Sequence, residues 1–136
     1  MAANNTGTID VASSALTFGQ AVSGAGTFVL NGDATLDFAN VVGTGSTLQF
    51  LHSGGTLEAQ TLGTFGATIA GFASGDTIDA ASVGFVTGTT TVGFSNGTLT
   101  VSNATQSASF VLTGSYVASS FQVSADGHGG TAVVYV

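Results

Sequence analysis

Thr35-Leu36-Asp37-Phe38, Thr56-Leu57-Glu58-Ala59 and Thr77-Ile78-Asp79-Ala80 are three copies of one four-residue pattern, spaced 21 residues apart. Thr98-Leu99-Thr100-Val101 continues the series at the same step. A fixed period in this range is the signature of a solenoid, in which each repeat is one turn of the chain. Within each copy polar and apolar residues alternate, so the second and fourth side chains share one face of a strand. One such strand cannot bury its apolar face alone. Stacked at the inter-strand spacing of about 4.8 Å, the copies bury Leu36 on Leu57 on Ile78 on Leu99 and turn the threonines and carboxylates outward.

The surrounding sequence keeps the same beat. Thr47-Leu48, Thr68-Ile69 and Thr89-Thr90 form a second column, with Thr27-Phe28 and Thr131-Ala132-Val133 as its extensions; Val41, Leu62, Val83 and Ala104 form a third. Gly24, Gly45 and Gly66 mark one turn of each repeat, and Gly54, Gly75 and Asn96 another, the last being a residue that tolerates a left-handed backbone. At the ends Thr8-Ile9-Asp10-Val11 fits the pattern off register, and Ser120-Phe121-Gln122-Val123 lies one residue beyond the next step. These columns predict an all-β chain, a β-solenoid (parallel β-helix) of about 21 residues per coil and about five to six coils. The expected organisation is a single domain over 1–136, with 1–26 an irregular N-terminal coil or arm and 105–136 a C-terminal capping coil.

Composition agrees. The 136 residues include 21 Gly and no Pro, Cys or Trp, and 43% are hydrophobic, with ten Phe, which is too apolar for a disordered chain. Lys and Arg are absent while seven Asp and Glu give a net charge of −7. A chain without cationic side chains cannot neutralise phosphates, so neither nucleic acid nor an anionic membrane is an expected partner. Membrane insertion is not expected either, because no apolar run reaches the ~20 residues a spanning helix needs. The start, Met1-Ala2-Ala3-Asn4-Asn5, lacks a basic segment and an apolar segment, so a cleavable N-terminal signal peptide is not expected.

Ile69-Ala70-Gly71-Phe72-Ala73-Ser74-Gly75-Asp76-Thr77-Ile78-Asp79, Leu112-Thr113-Gly114-Ser115-Tyr116 and Ser124-Ala125-Asp126-Gly127-His128-Gly129-Gly130-Thr131 resemble the β-strand repeats of large secreted bacterial adhesins and haemolysin-type surface proteins. The similarity covers about the last half of the chain, and the period carries it back towards residue 27. It implies a β-helical module at a bacterial surface or outside the cell, exported without a cleaved N-terminal signal. The calcium-binding nonapeptide of the haemolysin-type repeats, Gly-Gly-x-Gly-x-Asp-x-aliphatic-x, does not occur in this chain.

The candidate site is the carboxylate column Asp37, Glu58 and Asp79. Like charges on adjacent coils raise one another's pKa, and a divalent cation would relieve the repulsion. An all-oxygen ligand set favours Ca²⁺ over transition metals, with Asp33 and Asp76 near the same edge. The plainer reading is a solvated acidic face on a lysine-free protein. Gly75-Asp76-Thr77 reads first as a turn whose Asp side chain bonds its own backbone. His52 and His128 fall in glycine-flanked loops, and Asp126 with His128 gives two ligands, too few for a specific metal site. The fold resembles in outline β-helical enzymes that cleave acidic polysaccharides, but stabilising a uronate needs basic residues or a metal, so no enzyme is expected.

Two functions fit these observations. The first is an extracellular structural protein that assembles with itself head to tail into filaments or a surface matrix. A solenoid ends in open strand edges, and this chain has no Lys or Pro with which to blunt them. Residues 1–14 and the apolar run 132–136 are the segments expected to reach a neighbouring copy. The second is an adhesin-type module whose outward Thr35, Thr56, Thr77 and Thr98 meet a cell-surface or matrix polysaccharide, or ice. That ladder resembles ice-binding β-solenoids in part, because Asp37, Glu58 and Asp79 stand where those proteins carry a second threonine.

Overall fold

The computed structural model describes residues 3–136; Met1 and Ala2, part of the start from which the absence of a leader is expected, lie outside it. Its strands are β1 (Ala3–Asn4), β2 (Thr8–Ala12), β3 (Ala15–Phe18), β4 (Val22–Ser23), β5 (Thr27–Asn31), β6 (Thr35–Phe38), β7 (Thr47–Phe50) and β8 (Thr56–Ala59). They continue with β9 (Gly63–Ala70), β10 (Thr77–Ala80), β11 (Thr91–Ser95), β12 (Thr98–Ser102), β13 (Ser107–Leu112), β14 (Phe121–Ala125) and β15 (Thr131–Tyr135). The chain winds as a β-solenoid of about four turns, with coils of about 20 residues. Each coil gives one strand to each of two sheets: β2, β5, β7 and β9 stack in parallel on one side, and β3, β6, β8 and β10 on the other.

The register is the one the repeats predict. Leu16, Leu36, Leu57 and Ile78 are successive partners, and the last three are fully buried. On the opposite sheet Ile9, Phe28, Leu48 and Ile69 make the facing column. Thr8, Thr27, Thr47 and Thr68 run beside it, and the first two steps are 19 (8 to 27) and 20 (27 to 47) residues. That shortening is why Thr8-Ile9-Asp10-Val11 is off a 21-residue beat, and it belongs to this second column.

Packing between the sheets compensates for changes of side-chain size along a column. Phe18 stacks on Phe38 at 5.4 Å, but the next two rungs of that column are Ala59 and Ala80. Phe65 enters the space, its ring 5.5 Å from Phe38 and 5.7 Å from Phe110. Large residues thus face small ones, which keeps the interior at the density that close-packed cores need.

The parallel stack stops at β10 in the six-stranded sheet and one strand later, at β13 laid parallel on β9, in the seven-stranded sheet, short of the five to six coils expected. Thr98 does not stack on Thr77; the partner of Thr77 is Val134 of β15, which runs antiparallel. β12, which contains Thr98, Leu99 and Thr100, lies in the other sheet between β11 and β13, antiparallel to both. Leu99 is still fully buried, but against Phe94 and Phe110. The physical cause is Asn96-Gly97, whose φ values of 51° and 77° form a two-residue hairpin turn that folds the chain back on itself. Thr89-Thr90 leaves the second column for the same reason, its place above Thr68 being taken by Val111. Thr131-Ala132-Val133 lies in the six-stranded sheet, and so does not extend that column.

Two kinds of glycine hold the coils together. Gly54 and Gly75 have φ near +100°, a conformation that side chains with a Cβ resist. Gly66 is extended, yet a Cβ there would meet the Val42 carbonyl oxygen of the preceding coil at 2.0 Å. Replacing Gly66 with Ala should therefore cost about 1–3 kcal/mol through forced separation of two coils. Gly93→Ala, at a position with open space around it, should leave stability unchanged or slightly raised. Urea unfolding midpoints of the two variants test this, and a Gly66→Ala protein as stable as the parent would contradict it.

Candidate functional site

The six-stranded sheet places Asp37, Glu58 and Asp79 in register on its outer face, with Thr35, Thr56 and Thr77 in register beside them. Each strand buries its second and fourth residues and leaves these half-exposed. Thr98 and Thr100 are not part of the row, which instead ends against Ala132 of β15. Two other groups reach its end from the loop between β14 and β15. Asp126 and His128 lie close enough to act electrostatically on Glu58, and Asp126 also contacts Asp79.

The three carboxylates differ. Gln60 donates its side-chain amide to both oxygens of Asp37, at 2.8 and 3.0 Å, so the protein supplies a partner there. Burial pushes Glu58 above its ordinary pKa, Asp37 and Asp126 push further the same way, and His128 opposes them. Asp79 is pushed furthest, from 3.8 to about 7, first by burial, then by its contact with Asp126 and by the charges of Asp126, Glu58 and Asp37. Its Oδ1 is buried without a hydrogen-bond partner. A proton on Asp79 turns two facing acceptors into a donor and an acceptor, and so removes both problems.

Asp126 is the complementary half of that pair. Its Oδ1 accepts from the backbone N–H of His128 at 2.6 Å and of Gly130 at 2.9 Å, closing the loop. Burial pushes its carboxyl up, but those N–H groups, the contact with Asp79 and the nearby His128 outweigh burial and hold it below its ordinary value. Below about pH 7, therefore, Asp79 holds the proton of the pair and Asp126 the charge. Among the described residues no three His, Asp or Glu side chains converge so as to hold a metal ion.

Asp76 does more than the turn reading requires. Its Oδ2 accepts from Ala73 N–H at 3.1 Å within its own turn, and its Oδ1 accepts from Gly55 N–H, 3.3 Å away on the preceding coil. It is 2% exposed and ties two turns together. His52 has a similar cross-coil role, with Nδ1 2.9 Å from Asn31 Oδ1. Neither link shows in a single repeat, because each needs the partner from the coil below.

The two ends are the remaining features. The outermost strands are β3 and β14 in the six-stranded sheet, and β2 and β11 in the seven-stranded one. The apolar residues only half-covered by the core gather there: Ile9, Leu16 and Phe18 at one end, Val92, Phe94 and Val123 with Tyr116 and Tyr135 at the other. The run 132–136 is not a free arm for a neighbour, since β15 is paired on both sides, with β10 and with β14. Nor is 1–14 wholly free, because β2 pairs with β5. No protein-family model matches the chain, and no curated protein matches it.

The shared proton gives a pH dependence whose sign follows from linkage. Asp79 is protonated in the fold up to about 7 but ionised in the unfolded chain above 3.8, so its stabilisation is complete below 3.8 and is lost as pH rises through about 7. Asp126, held low, acts in the opposite sense and matters only in acid, below its ordinary value. Between pH 5 and 8 the parent should lose on the order of 1 kcal/mol, most of the Coulomb term being screened at this half-exposed site. Asp79→Asn should flatten that slope. Urea midpoints at the two pH values read the effect, and a parent more stable at pH 8 than at pH 5 would refute it.

Proposed function

We propose that this chain is a non-catalytic structural module that assembles with copies of itself, head to tail, into filaments or a matrix outside a bacterial cell. The observation that carries the reading is the pair of unfinished ends. Ile9, Leu16 and Phe18 on the first strands, β2 and β3, and Val92, Phe94 and Val123 on the last, β11 and β14, are only half-covered by the core, whereas Phe121 on β14 is buried beneath the rings of Phe94, Tyr116 and Tyr135. Strand direction supports it as well. β15 reverses relative to β10 and β14 reverses again, while β12 and β11 reverse in turn beyond β13, so both last strands run in the direction of the coils. A copy added in the same sense makes a heterologous contact, which extends into a fibre where its rotation does not close a ring. The absence of Lys and Pro leaves the edges without two of the usual devices that block such growth.

The resemblance of 69–79 and of the C-terminal segments to repeats of secreted bacterial adhesins and haemolysin-type proteins supports the extracellular setting. Calcium enters this reading only through the acidic row, as a cation that would lower repulsion between Asp37, Glu58 and Asp79. A second reading, recognition of a polysaccharide or ice, is favoured by one observation: the column Thr8, Thr27, Thr47 and Thr68 is in register across four strands of one face.

Negative-stain electron microscopy of the concentrated chain at pH 7, with millimolar calcium and with chelator, should show filaments of uniform width in both. Filaments only with calcium would make the acidic row part of the assembly, and dispersed particles in both would sink the structural reading in favour of the threonine face. Because the net charge is −7, light scattering should show more assembly at pH 4 than at pH 7; less would show that carboxylate repulsion does not limit association.

A further inference from the structure

We infer that Asn96 is a site of spontaneous covalent modification, in which the backbone nitrogen of Gly97 attacks its side-chain carbon and the amide leaves as ammonia, and that the same dipeptide at Asn31-Gly32 is protected by its place in the stack. The inference is independent of the assembly reading.

Asn31-Gly32 and Asn96-Gly97 are the Asn-Gly dipeptides of the chain. Glycine after asparagine leaves the attacking nitrogen free of the crowding a Cβ would bring. In the first step the Gly97 nitrogen loses its proton and bonds to Asn96 Cγ, while the bond from Cγ to Nδ2 breaks. The departing amide nitrogen takes up a proton and leaves as ammonia, and a closed succinimide ring remains. In the second step water opens the ring. Cleavage between the nitrogen and Cγ gives aspartate with the original backbone. Cleavage between the nitrogen and the main-chain carbon of residue 96 gives isoaspartate, whose backbone runs through the former side chain. Nothing is oxidised or reduced, and water is the sole co-reactant.

The two sites differ in what the asparagine must give up. Asn96 stands exposed at the tip of the β11–β12 hairpin, and β11 is an outermost strand. Gly97 is held at its carbonyl, by Leu112 N–H at 2.8 Å, but its own N–H lies outside the ladder, which pairs Ser95 with Thr98 across the turn. A loop tip at a sheet edge opens at low free energy. Asn31 instead ends β5, an interior strand paired with β2 on one side and β7 on the other. Its Oδ1 lies 2.9 Å from His52 Nδ1 on the next coil, and its carbonyl accepts from Ser13 N–H, 3.4 Å away on the preceding one. To bring Cγ onto the Gly32 nitrogen, Asn31 has to break the His52 link and turn a peptide fixed between two coils.

The products act differently on the fold. Aspartate leaves the chain path unchanged and adds a charge at an exposed turn. Isoaspartate lengthens the main chain of a two-residue turn that sets the register of β11 against β12, and so displaces Phe94 from its partner Leu99.

Chymotrypsin cuts after Leu30 and Leu36 and after Phe94 and Leu99, which puts the two sites in separate peptides. Mass spectrometry of those peptides after incubation of the folded chain at pH 8 should show Asn96 converting to aspartate and isoaspartate about tenfold faster than Asn31, the handicap set by one hydrogen bond and the opening of a paired strand. In urea the two rates should come together. His52→Ala should raise the rate at Asn31 and leave that at Asn96 unchanged. Asn96→Gly keeps a Gly-Gly hairpin turn, so its urea midpoint should stay constant on ageing while that of the parent falls. Asn96 intact in the folded chain after an incubation that converts it in urea would overturn the site. Asn31 converting as fast as Asn96 in the folded chain, or a His52→Ala protein whose Asn31 is no more reactive than the parent's, would overturn the protection.

Discussion

Backbone hydrogen bonding from each coil to the one below is the constraint on which everything else depends. The bond from Thr56 N–H to Ala34, repeated as Thr77 N–H to Gly55, fixes the vertical spacing and the register together. With register fixed, alternation along each strand decides which side chains are inside. A slip of one residue would put Asp37, Glu58 and Asp79 in the core and Leu36, Leu57 and Ile78 in water. With no disulfide and no Lys or Arg to form ion pairs, the chain relies on this ladder and the apolar columns it aligns.

Identical residues at identical positions have a cost as well as a benefit. Stacking leucine on leucine fills a core without voids, and stacking carboxylate on carboxylate accumulates charge. The chain deals with its three acidic rungs in three ways: an amide from Gln60 on Asp37, partial exposure of Glu58, and a proton on Asp79 shared with Asp126. The last is possible only because the antiparallel β14–β15 hairpin replaces a further coil. Its loop brings Asp126 to the end of the row, and its strand puts Ala132 beside Asp79, where the repeat would have set Thr100.

The fold was legible where local pattern and global architecture coincide. The triplets at 35, 56 and 77 and the pairs at 47 and 68 gave class, register and buried face, because in-register stacking turns sequence period directly into spatial contact. It failed at 98, where the spacing and the alternation both still fit. An antiparallel hairpin has the same inside-outside alternation as another parallel coil, so hydrophobic pattern cannot separate them. The separating cue is Asn96-Gly97 between two alternating strands, a two-residue hairpin signal that a period-based reading absorbs as one more glycine turn. The acidic row was legible as a row, but not the inequality of its members. Asp126 is remote in sequence from Asp79, and Gln60 is on a different coil from Asp37.

The cap has a further consequence for the ends. Here each sheet ends in two reversals, β15 then β14 and β12 then β11, which restore the original direction. Val123 and Phe94 are half-covered, as Leu16 and Ile9 are at the other tip, while Phe121 on β14 is buried beneath Phe94, Tyr116 and Tyr135. The C-terminal segment thus ends the repeat in sequence while keeping, at its outer edge, the strand direction of the coils.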